Sequence, residues 1–278
     1  MKHLASFASL IALAFVSEAQ ILSNEFLLHR YPSFDAAEVE KAGIKSITIR
    51  EMQKPSSQQI LDYSIRFTYY FDGKGRLIGY RKTYPGFAGR IDTNEVKRIY
   101  FQNKLAQETE RMGRYERKTV YAPLDSSSQK RTISTRIGNA AWEKLSLEKI
   151  AKQEIKDGFV ELIGGMRSEP YQRVVSMLDK KDNLVVRETW NGSRIQNLEM
   201  WEYRANEPSY YRFKDVSQNE VLEYRFPASG DDEGSFCVKG KCKKWSIVSH
   251  SNGWPKGWIL MDPISQDAEI WEFVYRYW

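Results

Sequence analysis

His250 is the first residue to weigh for chemistry, because it stands in VSHSNGW with a serine on each side and with Trp245, Trp254 and Trp258 close by. A histidine beside a hydroxyl is the core of a nucleophile and base pair, and neighbouring indoles are what a sugar or an apolar ligand stacks on. Along a strand, however, Ser249, His250 and Ser251 alternate between faces, so neither hydroxyl is aimed at the imidazole. His250 therefore reads as a strand-end histidine and, with Trp245, Trp254 and Trp258, as a candidate ligand contact. There is no G-x-S-x-G elbow and no H-E-x-x-H pair, and three histidines in the whole chain leave little imidazole for a metal. The expectation is binding without catalysis, and neither a metal nor a cofactor.

Two cysteines, Cys237 and Cys242, lie in SFCVKGKCKKWSIV with Gly240 between them. That spacing suits a disulfide across a hairpin, whereas a redox pair uses C-x-x-C beside a helix start. GDDEG at 230–234 lacks the alternating ligands of a calcium loop and reads as a solvated turn. Gly73, Gly75 and Gly79 are spaced unlike a nucleotide loop and precede no helix, so their role is positive φ in a hairpin.

The elements that hold these residues sit behind an export signal. Lys2 and His3 precede an apolar run from Leu4 to Val16, then Ser17-Glu18-Ala19, which places a cut after Ala19 and makes residues 1–19 a signal peptide. The run is shorter than the ~20 residues that span a bilayer, and no later segment forms a transmembrane helix. Export leads to the periplasm, the cell surface or the medium. The net charge is +6, but basic residues alternate with acids and aromatics, as in ERMGRYERKTVY from Glu110. Nucleic acid is therefore not the expected partner, and an envelope protein, glycan or lipid is.

A hairpin signature occurs twice, as FTYYFDGKGRLIGYRKTY from Phe67 and VVSMLDKKDNLVVRETW from Val174. Each runs to an Asp, Asp72 or Asp179, crosses a polar turn and resumes at Leu77 or Leu184. Capping and periodicity predict one helix over 35–42, ending at Gly43, and a longer one over 139–158, ending at Gly158. Gly43 to Gly158 is a shift of 115 positions and Asp72 to Asp179 one of 107, an order consistent with an old duplication. Elsewhere strands follow one another closely. The fold class expected is mainly β, an antiparallel meander forming one curved sheet or two similar lobes, 20–138 and 139–278, with two covering helices.

FDGKGRLIGYRKTY resembles the YD repeats of the RHS type, in which an aromatic-Asp pair, a Gly-containing turn and a basic-hydrophobic strand recur. The likeness covers 67–84 well and 174–190 loosely, since Leu178 replaces the aromatic. It implies a sheet topology and an exported habitat, with no activity attached. The closing EIWEFVYRYW puts Trp271, Phe273, Tyr275 and Tyr277 on one face, expected to pack as core, and Glu272, Val274, Arg276 and Trp278 on the other. Charge on that second face argues against a lipid-facing barrel strand. The reading is an exported, non-enzymatic binding or scaffold protein of the bacterial envelope. The alternatives are a lipid or lipoprotein carrier with an apolar concavity and an envelope glycan or peptide hydrolase.

Overall fold

The computed structural model describes residues 36–204, 207–225, 233–238, 240–251 and 254–278. The expected signal peptide lies outside the described residues, as does most of the GDDEG turn. A single short helix opens the described chain, α1 (Ala36–Lys41), and Gly43 beyond it takes φ 65° while donating its N–H to the Glu40 carbonyl.

Eighteen strands follow. They are β1 (Ile44–Lys54), β2 (Leu61–Phe71), β3 (Leu77–Pro85), β4 (Ile91–Phe101), β5 (Lys104–Met112), β6 (Tyr115–Pro123), β7 (Ser128–Ile137), β8 (Glu143–Ile155) and β9 (Gly158–Gly165). The second half holds β10 (Pro170–Leu178), β11 (Leu184–Asn191), β12 (Arg194–Arg204), β13 (Glu207–Asp215), β14 (Glu220–Arg225), β15 (Glu233–Val238), β16 (Lys241–Ser249), β17 (Pro255–Met261) and β18 (Ala268–Tyr277). Each strand pairs antiparallel with the next, and β1 also pairs antiparallel with β18, so the meander closes into a barrel. Closure leaves no sheet edge unpaired.

The helix expected over 139–158 is not formed. Residues 143–155 are β8, paired with β7 on one side and β9 on the other. The segment is rich in Lys, Glu and Leu, which favour helix in isolation, but it also alternates, with Glu148 and Ile150 buried and Leu145 exposed. A helix here would leave β7 and β9 as open edges inside a closed sheet, so the ladder overrides local propensity.

Register assigns the two faces of the wall. Arg81, Glu95, Arg111, Glu116 and Arg136 are successive cross-strand partners from β3 to β7 on one face. Ion pairs link Arg81 to Glu95 at 2.9 Å and Glu116 to Arg136 at 2.6 Å and Arg111 at 3.8 Å. This alternating ladder faces water, where a lipid-facing barrel keeps an apolar band. The opposite face carries the buried residues and is the inside of the barrel.

The repeated hairpin is the same object in both places. Asp72 Oδ1 accepts from the N–H of Lys74 and Arg76, and Oδ2 accepts from Arg76 Nε at 2.7 Å. Asp179 does the same with Lys181, Asn183 and the Asn183 amide. Both turns have a left-handed fourth residue, Gly75 or Asp182, and a register shift at the last pair of the hairpin. A tyrosine from the next strand donates to the first carbonyl after each turn, Tyr100 to Leu77 at 3.0 Å and Tyr203 to Leu184 at 2.9 Å.

Candidate functional site: the inner face of the barrel

An 18-stranded ring held round would enclose a wide, wet lumen. Here Ile47, Ile49, Phe67 and Phe71 on the inner side of β1 and β2 are at most 2% exposed, and Val39 of α1 is buried among them. The inner face is closely packed along this arc, and α1 is seated on it through Val39 where β1 begins.

The apolar arc continues through the later strands as a series of rings. Trp201 stands 5.0 Å from Tyr211, Tyr224 4.4 Å from Phe236, Trp245 5.6 Å from Trp258, and Trp258 5.9 Å from Phe273. Alternation places these residues: Trp201, Tyr211, Tyr224 and Phe236 are successive cross-strand partners on the inner face, as are Trp258 and Trp271. Trp245 Nε1 donates to the Arg225 carbonyl at 3.1 Å.

From β4 to β12 the inner face sets ion pairs among buried apolar residues such as Val96, Ile133, Ile150 and Ile163. Arg98 Nε donates to Glu108 at 2.9 Å with both side chains almost wholly buried, and Arg131 Nε donates to Glu148 at 2.6 Å. Glu199 accepts from the Tyr211 hydroxyl at 3.2 Å and lies 4.0 Å from Arg187. Burial holds the carboxyls of Glu110, Glu161 and Glu199 above the usual carboxylate range, against the pull of Arg117 on Glu110 and of Lys152 and Arg187 on Glu161.

Glu110 gives a signed pH prediction. A carboxyl whose folded pKa exceeds its unfolded one favours the fold below the unfolded pKa, and that advantage is lost as pH rises through the folded pKa. Glu110→Gln should thus raise the thermal midpoint at pH ~7 and leave it nearly unchanged at pH ~3, where the Glu110 carboxyl is protonated in the folded and unfolded chain alike. Equal midpoints of variant and wild type at both pH values would show that this carboxyl is solvated.

The four candidate ligand residues separate into two pairs. Trp245 and Trp258 lie within the inner aromatic arc, and His250 and Trp254 flank Tyr275 at the barrel end, each ring 5.8 Å from it. The His250 N–H donates to the Trp254 carbonyl at 2.7 Å, and among the described residues its ring has no carboxylate partner. Ser249 and Ser251 are both exposed. Cys237 and Cys242 are joined as a disulfide, directly opposite one another on β15 and β16. Among the described residues no group of His, Cys, Asp and Glu is arranged to hold a metal.

The ion pairs of the inner wall were missed at the sequence level. Lys97 faces out and Arg98 in, so neighbouring positions look alike in the sequence, and only the pairing tells which charge is buried.

No family model and no curated protein matches this sequence. Among solved structures it is similar to a porin-like protein from Bacteroides uniformis at 10% identity, covering 84% of this chain and 98% of that chain, with a TM-score of 0.40. A LolA superfamily protein from Nitrosomonas europaea matches at 10% identity over 87% of this chain and 89% of that chain, with a TM-score of 0.23. These likenesses are too distant to carry function. What the chain's own residues define is a class: a closed antiparallel barrel whose outer face is charged from β3 to β7 and whose interior is aromatic on one arc and mixes ion pairs with apolar residues on the other.

Proposed function

We propose that this chain is an exported, non-enzymatic binding protein of the bacterial envelope that carries an amphiphile inside its barrel. The supporting observation is the division of the inner face: rings from Trp201 to Phe273 suit an acyl or other apolar chain, and the arginine-bearing strands suit a polar headgroup. The charged outer face of β3 to β7 suits a carrier in water, and α1 packs its Val39 into the core beside the start of β1. The periplasm or the cell exterior is where the signal segment and the disulfide would both be at home.

Native mass spectrometry of the mature chain taken from its own envelope tests this reading. A bound mass that is removed by organic extraction and regained from lysophospholipid micelles is expected. A bare chain that takes up no lysophospholipid would overturn it.

A further inference from the structure

Ser176 has no exposed surface, and its Oγ has no hydrogen-bond partner. Buried hydroxyls are nearly always satisfied, so this one calls for an acceptor. Register puts Ser176 directly between Phe159 on β9 and Arg187 on β11, all on the inner face. The Lys152 ammonium leans over the Phe159 ring at 3.8 Å from its centroid, and Glu161 stands opposite it in the ladder. Arg187 is 12% exposed, yet its carboxylate partner, Glu199, is 4.0 Å away. The inner pairs Arg98–Glu108 and Arg131–Glu148, by contrast, are closed at 2.9 and 2.6 Å.

Two cations, Lys152 over Phe159 and Arg187 loosely paired with Glu199, and an unsatisfied hydroxyl thus occupy inner positions of β8, β11 and β10. From Arg187 the aromatic arc leads away without a break: its guanidinium lies 5.7 Å from the Trp201 ring, Trp201 meets Tyr211, and Tyr224 stands 6.2 Å from Tyr211. We infer that Ser176, Lys152 and Arg187 form the seat of an anionic headgroup, a carboxylate or phosphate monoester, whose chain lies along Trp201 and Tyr211. This rests on the carrier reading and adds the chemistry of the headgroup. Glu161, opposite Lys152 in the ladder, is the internal acid with which that headgroup competes.

Three probes of one chain length test the seat: palmitate, monohexadecyl phosphate and 1-hexadecanol, followed by quenching of tryptophan emission in the mature chain. Wild type should bind one or both anions about tenfold or more tighter than the alcohol, the scale of a charge-assisted hydrogen bond. Lys152→Gln and Arg187→Gln should abolish that preference with hexadecanol affinity unchanged, Ser176→Ala should reduce it, and Glu161→Gln should enlarge it. If Arg187→Gln does not fold, the other three variants carry the test. Equal losses for acid and alcohol, or a preference that survives every variant, would remove the headgroup seat and leave the carrier reading standing. Binding of none of the three probes by wild type would remove both.

Discussion

Glu108→Gln should destabilise the barrel by about 3–5 kcal/mol, the cost of leaving a buried cation without its counter-charge. Arg98 and Glu108 lie on the inner faces of β4 and β5, joined at 2.9 Å with side chains 4% and 10% exposed. Glutamine keeps the volume and an acceptor but not the charge, so the change isolates electrostatics from packing. The outer pair Arg81–Glu95 spans the neighbouring strands β3 and β4 at the same 2.9 Å, but Arg81 is 46% exposed. Glu95→Gln should therefore cost no more than about 1 kcal/mol. Replacing both inner partners, Arg98→Met with Glu108→Leu, should recover most of the loss, because two apolar side chains need no counter-charge. Urea denaturation of the four proteins decides the matter. Similar small losses for Glu108→Gln and Glu95→Gln would mean that Arg98 is hydrated and that the inner and outer faces have been assigned wrongly.

The same pair shows how far the sequence can be read. Strand positions follow from alternation and turn residues, and β12 at 194–204 and β16 at 241–249 are found where those signals place them. The aromatic face of β18 is also legible: Trp271 and Phe273 are buried, although Tyr277 at the barrel end is 54% exposed. Which face of β4 or β8 is buried was not legible, since Lys97 and Arg98, or Glu148 and Lys149, differ in nothing a single strand records. β8 fails for a related reason. Its helix-favouring composition is local, while the demand that it pair with β7 and β9 comes from a ring whose ends, β1 and β18, are over 200 positions apart. Closure is a property of the whole chain, and it decides both the identity of β8 and the meaning of Arg98. The candidate ligand residues divide along the same line, with Trp245 and Trp258 placed by strand alternation and the Ser176, Lys152 and Arg187 group visible only once β8 to β11 are in register.

Gly75→Asp should cost about 3 kcal/mol, although the equivalent turn in the second copy of the hairpin already carries an aspartate there. Gly75 and Asp182 both adopt the left-handed conformation, at φ 67° and 63°, inside turns with the same hydrogen bonds. Asp182 shows that the turn itself tolerates a side chain, as left-handed Asp does. What differs is α1. A Cβ on Gly75 would collide with the Ala36 carbonyl oxygen and approach the Glu40 nitrogen to 2.8 Å, and both atoms are helix backbone that cannot swing aside. The helix must lift, and Val39, which has no exposed surface, goes with it. Losing that burial is worth ~1.5–3 kcal/mol, to which the collision and the left-handed residue add. Asp182→Gly should change stability by less than about 1 kcal/mol, because among the described residues no helix packs on that turn and only backbone freedom is altered. Hydrogen exchange across 36–54 should show α1 losing protection in Gly75→Asp while the β1 ladder to β2 and β18 keeps it. If α1 stays protected, the glycine serves the turn alone, and the helix is held by Val39 without help from the hairpin beneath it.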